Sequence, residues 1–333
     1  VPEWAIDLHV VVAHARVHPP YRSLVLSVTD RCNIACDFCC HPHLDSQIDE
    51  EECVRLATEA CALDFVEVAL TGGEPFLRFP LILRLAEICR EHRRALSVLT
   101  NGFWARRPER AAEMAARMVQ AGVFHVTFSW DPSHAAFVPA AAIQVGLDAC
   151  MEAGLHVELR GNFVDPDDPR HFRELRLARW LPYASFSVAR SGIAATGRAR
   201  GKRRPARPVA AAPLHRCPGH AELEHVIYAR DGMTMPCCSV WVGYETPAAS
   251  LGSWRDRPLA ESLRSHEADP WFRLIADEGF GALYRRVEAT DPDLAGRLPS
   301  PADFEDPCSL CGTLLQGPDA AALLRAARRV SEA

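Results

Sequence analysis

The stretch CNIACDFCC, residues 32–40 near the start of the chain, holds four cysteines, of which the first three stand apart from one another. Their spacing, C-x3-C-x2-C, puts Cys32, Cys36 and Cys39 on one short loop. Three thiolates so placed can hold three irons of a [4Fe–4S] cluster and leave the fourth open to another ligand. Zinc is the competing metal. A structural zinc closes with four ligands, and His41 and His43 stand near enough to supply one. The chain has 13 cysteines in 333 residues, an odd count that does not fit a small disulfide-stapled secreted domain. In a reducing compartment, clustered cysteines point to metal and scattered ones to core. Cys53, Cys61, Cys89 and Cys150 fall on helical faces and read as core, and Cys40 as packing near the metal.

A loop of this kind has to be carried by something rigid. Residues 23–29, directly before it, pattern as a strand, and five more strands follow at 65–70, 95–100, 125–130, 156–164 and 185–190. Helical patterns separate them: 50–63 with Asp49 as cap, 81–93, 110–120, 140–153 and a shorter one at 171–179. Alternation of this kind implies a parallel sheet under outer helices. Six strands rather than eight imply an open partial (β/α)6 TIM-like barrel, with its chemistry at the C-terminal ends of the strands. The barrel is expected over residues 1–199. The basic, Pro-containing stretch 200–213 reads as a solvated linker, or else as a docking strip for an acidic peptide. A second, smaller domain is expected over 214–333, where cysteines reappear. The chain is 48% apolar with a net charge of −6, so it can build a core and is not a general nucleic-acid binder. No run reaches the ~18 apolar residues of a membrane span, and the N-terminal stretch has acids where a signal peptide has bases. These features predict a soluble, cytoplasmic protein.

The cysteine loop and the strand ends together resemble the radical S-adenosylmethionine (SAM) superfamily, over roughly residues 23–199. The C-x3-C-x-aromatic-C motif has Phe38 at the aromatic position, which the resemblance places beside the SAM adenine. Thr71-Gly72-Gly73-Glu74 closes strand two like the family's GGE motif, which implies that Gly72 and Gly73 let backbone approach the ligand and that Glu74 accepts from the SAM ammonium. Thr100-Asn101-Gly102 closes strand three and matches another family signature, which places Asn101 at the cofactor. Ser129 and Asp131 close strand four, where the family contacts the ribose and methionyl groups. Arg160 on strand five could pair with the SAM carboxylate. In that family the open iron chelates SAM, and electron transfer yields a 5′-deoxyadenosyl radical.

Downstream, Cys217 is followed by fourteen residues, Gly232, four more and Cys237, then by Cys308 and Cys311. This order resembles the Twitch domain, the short form of SPASM, which implies a second, auxiliary [4Fe–4S] cluster on Cys217, Cys237, Cys308 and Cys311. A four-cysteine zinc site has the same ligand count. Asp231-Gly232 suggests a hairpin between strands at 225–229 and 233–235. Adjacent strand residues point to opposite faces, so Cys238 is left free beside Cys237. CNIACDFCC, NGFW at 101–104, SWDPSHAAFV at 129–138, PCCS at 236–239 and CSLCG at 308–312 resemble the radical SAM peptide epimerases that mature epipeptides. That resemblance implies a ribosomally made precursor peptide as partner, an electron donor such as flavodoxin or ferredoxin, and Cys238 as the catalytic thiol that returns hydrogen to a Cα. It leaves His134 as a substrate or SAM neighbour, or a helix cap. Twitch dehydrogenases of sugars, aminocyclitols or peptide side chains, and peptide C–C or thioether cross-linking enzymes, are the alternatives. With about twenty residues before strand one, no N-terminal leader-binding module is expected.

Overall fold

Short β-branched and apolar runs alternate with amphipathic stretches through the first two-thirds of the chain, and each becomes the element its period dictates. The structure is a computed structural model that describes residues 21–39, 41, 44–193, 197–199, 224–230, 232–235, 250–304 and 307–329. These residues fall into two compact units, the first holding Ser23–Lys202 and the second Arg203–Ala333 together with the short stretch His18–Arg22.

In the first unit β1 (Tyr21–Thr29), β2 (Glu67–Gly72), β3 (Ala95–Thr100), β4 (His125–Ser129), β5 (His156–Phe163) and β6 (Phe186–Gly192) lie in sequence order, every neighbouring pair parallel. β6 stands at an edge, so the sheet is open, as in a partial TIM-like barrel. Helices α1 (Glu50–Ala62), α2 (Phe79–Glu91), α3 (Pro108–Ala121) and α4 (Ala140–Ala153) form the crossovers. Asp49 caps α1 as its sequence suggests, accepting from Glu51 N at 2.9 Å.

Alternate strand residues, among them Leu24, Leu26, Val68, Leu70, Leu96, Val98, Val126 and Phe128, are almost wholly buried. Cys53, Leu56 and Ala60 of α1 and Ile82, Leu85 and Cys89 of α2 are buried too. Each such aliphatic side chain withdrawn from water contributes about 1.5–3 kcal/mol. The intervening residues form a more polar face, on which Thr127 pairs in register with Leu99 and Glu158, and Ser129 with Arg160. The scattered cysteines Cys53, Cys61, Cys89 and Cys150 are buried, as their helical placement predicts.

The connection from β5 to β6 departs from the sequence pattern. No helix forms over 171–179; only a single 3-10 turn, Leu177–Arg179, appears. Phe172 takes φ +64°, outside the helical region, and buries its ring against Phe163 and Trp130. Packing of that one aromatic outweighs the helical propensity around it.

In the second unit β7 (Glu224–Arg230) and β8 (Met233–Met235) make the antiparallel hairpin the sequence suggests, with Arg230 opposite Met233. The rest of its described part is mainly helical: α5 (Leu259–Ala268), α6 (Pro270–Asp277), α7 (Gly279–Thr290), α8 (Pro307–Gln316) and α9 (Ala320–Arg329). Trp254, Trp271, Phe280 and Leu283 are buried there. Among the described residues no helix is long and apolar enough to cross a membrane.

Candidate functional site

The cysteine loop leaves β1 at Thr29 and returns beside it. Asp30 N donates to Ser46 O at 2.8 Å, Ile48 N to Val28 O at 3.2 Å, and Thr29 bridges Gln47 in antiparallel fashion. The Ser46 hydroxyl donates to the Asp30 carboxylate, and Arg31 pairs with Asp45. From the turn after β2, Arg78 Nη1 donates to both sides of this neck, to Val28 O at 2.8 Å and Ile48 O at 2.6 Å.

Gly72 and Gly73 serve the loop. Gly73 N donates to Thr29 O at 2.7 Å and Glu74 N to Arg31 O at 2.8 Å. A Cβ at Gly72 would stand 2.2 Å from Thr29 O, and one at Gly73 2.0 Å from Arg31 O. Glycine at both positions lets the backbone come this close to the loop that carries the cysteines.

Glu74 is buried, and its carboxylate is engaged with three donors. Oε1 accepts from Phe76 N at 3.0 Å and Thr100 Oγ1 at 2.9 Å, and Oε2 from Asn101 N at 2.7 Å. Burial lifts its pKa to about 7, against the pull of those three hydrogen bonds. Glu74 thus ties the end of β2 to the end of β3. Asn101 reaches the loop from there: Nδ2 donates to Asn33 Oδ1 at 2.9 Å and lies 3.9 Å from Cys32 Sγ.

The end of β4 holds the far side of the loop. Asp131 is buried and caps the one-turn helix Pro132–Ala135, accepting from Ser133 N and His134 N. Its second oxygen accepts from Asn162 N at 3.2 Å. His134 Nδ1 lies 2.9 Å from that oxygen, off the line of a hydrogen bond. Asp37 N donates to Ser133 Oγ at 2.9 Å, and the Phe38 ring stands 5.8 Å from that of His134. Ser129, half-buried, is the register partner of Arg160, whose exposed guanidinium pairs with Glu158 at 2.7 Å. Arg198 N closes the ring by donating to Cys39 O at 3.1 Å.

The strand ends therefore bring Cys32, Cys36, Cys39, Phe38, Gly72, Gly73, Glu74, Asn101 and Asp131 to one rim. Burial raises the Cys32 thiol to about 11 and the Cys36 thiol to about 12. Burial also raises Cys39, while Arg198 pulls it down. The neighbouring thiols and Asp131 push Cys36 further up, so these thiolates need positive charge beside them. Among the described residues no three His, Cys, Asp or Glu groups converge on a single metal ion. His41, the zinc candidate within the described residues, is buried with Nδ1 3.8 Å from Asp30 Oδ1. A cluster asks for one thiolate per iron and so for wider spacing than a mononuclear zinc, and this donor set suits it. Sequence reasoning missed Asn33, Arg78, Ser133 and Arg198. Asn33 and Ser133 sit inside quoted motifs and Arg78 and Arg198 outside any, but the role of each exists only through partners distant in sequence.

A scan against family models matches residues 26–134 to the radical SAM superfamily. The chain carries a radical SAM domain. The match spans β1 to the turn after β4, and with it the whole cysteine loop. The chain is 23% identical over 317 residues to YydG of Bacillus subtilis (strain 168), a protein named for peptide biosynthesis, covering 88% of this chain and 92% of that one. It is 35% identical over 157 residues to the GTP 3′,8-cyclase of Synechococcus sp. (strain CC9902), covering 41% of this chain and 44% of the cyclase. The solved structure of native anSMEcpe with bound AdoMet and Cp18Cys peptide shares the fold at a TM-score of 0.55 and 15% identity, over 78% of this chain and 84% of that one. A radical SAM domain implies SAM and a [4Fe–4S] cluster, and Cys32, Cys36 and Cys39 lie within the matched residues.

In the second unit Cys308 and Cys311 lie three apart near the start of α8. Cys311 is half-buried. Cys40, His43, Cys217, Cys237, Cys238 and the linker at 200–213 lie outside the described residues, as does the Cys308 side chain.

Proposed function

We propose that this chain is a radical SAM peptide epimerase, converting L- to D-residues in a ribosomally made precursor peptide. The observation that carries the reading is the similarity to YydG over 88% of this chain and 92% of that one, well beyond the residues 26–134 of the radical SAM domain. Bound at the loop, SAM and its cluster would supply hydrogen-abstracting radical chemistry, directed here at a substrate Cα.

The chain's own residues do the rest. Cys32, Cys36 and Cys39 hold three irons. Gly73, Glu74 and Asn101 fix the loop from β2 and β3, and Asp131 and Ser133 fix it from β4. Phe38, Ser129 and Arg160 offer an apolar face, a hydroxyl and a cation to the adenine, ribose and carboxylate of SAM. Arg160 leaves Glu158 to do so. In the second unit Cys217, Cys237, Cys308 and Cys311 would hold the auxiliary cluster, and the Cys238 S–H would deliver hydrogen to the opposite face of the planar Cα radical. The thiyl so formed takes an electron and a proton back before the next turnover, from a donor such as flavodoxin or ferredoxin.

The deciding experiment is mass and chirality of the product. Epimerisation leaves mass unchanged in water and adds about one dalton in D2O, because the returned hydrogen comes from an exchangeable S–H. Cys238→Ala should keep both clusters and still release 5′-deoxyadenosine with peptide, yet form no D-residue. A product about two daltons lighter would replace this reading with dehydrogenation or cross-linking. A Cys238→Ala enzyme that still forms a deuterated D-residue would remove the thiol from the mechanism.

A further inference from the structure

Asn101 is 4% exposed, and both ends of its side-chain amide have partners. Its backbone N–H goes to Glu74 Oε2 at 2.7 Å, and its side-chain oxygen accepts from Phe103 N at 3.0 Å. That second bond fixes which end of the amide is nitrogen, the point ordinarily left open for asparagine. The amide nitrogen has two hydrogens. One goes to Asn33 Oδ1 at 2.9 Å; the other faces Cys32 Sγ, 3.9 Å from the nitrogen. Among the described residues, no side-chain N–H reaches Cys36 or Cys39.

From this geometry we infer that Asn101 is a positioning residue that donates an N–H···S hydrogen bond to Cys32 and raises the reduction potential of the cluster on this loop, with Asn33 and Phe103 holding the amide at the angle to do so. Reduction adds an electron, so the thiolates carry more negative charge in the reduced state. A donor aimed at one of them stabilises that state more than the oxidised one. Glu74 has a part at one remove, because it anchors the backbone from which the amide reaches. The inference rests on the cluster reading of Cys32, Cys36 and Cys39 and adds to it a device that eases entry of the electron.

The test is an EPR-monitored redox titration of the reconstituted full chain, following the signal that SAM perturbs. Asn101→Ala and the near-isosteric Asn101→Asp should keep their iron and show a midpoint potential more negative than the parent's. The shift should be larger for Asp, which sets a carboxylate beside the sulfur. Asn33→Ala, at an exposed position, should shift the potential the same way by less. Unchanged potentials in both loaded Asn101 variants would overturn the inference. If those variants take up no iron, Asn33→Ala decides, and a potential equal to the parent's overturns it. A parent chain with no SAM-sensitive cluster would instead defeat the cluster reading itself.

Discussion

The Glu74 carboxylate is buried among three donors, and burial sets its acidity. In the unfolded chain it sheds its proton near the usual 4.5, whereas in the folded chain it does so at about 7. Between those values the folded state binds more protons. Its stabilising share is therefore full below the unfolded value and is lost as pH rises through about 7. Glu74→Gln cannot titrate, so from about pH 5 to pH 8 the parent should lose about 2 kcal/mol more unfolding free energy than the variant, as read by urea denaturation. Equal losses would show that the carboxylate is better solvated than its burial implies. The sequence made Glu74 visible as part of a motif; the structure adds that its carboxylate joins the ends of β2 and β3. A motif marks a position; the donors that occupy it come from Thr100, Asn101 and Phe76, and only folding brings them there.

Strands and helices were the most legible part, because their apolar periods are long and regular. β3 and α4 fall where the pattern puts them, residue for residue. The missing helix after β5 was not legible, since a single buried Phe172 decides it from outside the local pattern. Connections between elements give sharp expectations. Gly73→Ala must displace Arg31 O by backbone movement, at about 3 kcal/mol, and should lower the iron held by the loop in a colorimetric assay after reconstitution. Arg78→Met leaves Val28 O and Ile48 O without their charged donor. It should cost about 1.5–3 kcal/mol by thermal or chemical unfolding while keeping iron, with faster loss of that iron to a chelator. An Arg78→Met protein as stable and as slow to release iron as the parent would show that the neck holds without its staple.

Across the whole chain, two cysteine groups in separate compact units imply separate loading. Reconstituted protein should carry about eight irons, and replacing Cys32, Cys36 and Cys39 together with Ala should leave about four. Stoichiometric zinc in place of the second four would refute the auxiliary cluster. The second unit was only half legible: its cysteine spacing stood out, whereas its helices lack the strict strand alternation that framed the first. The neck between Val28 and Ile48 carries one more consequence, for assembly. The segment 29–47 is closed at its base by peptide hydrogen bonds and Arg78, so the ends are already joined before metal arrives, and the loop-closure entropy is met by the barrel. Maturation is then a late, local event on a finished scaffold. Iron-starved cells would accumulate a folded chain awaiting its cargo. Stripping the iron should leave far-ultraviolet circular dichroism and cooperative melting of the first unit nearly intact, while protease sensitivity rises within 31–45 alone.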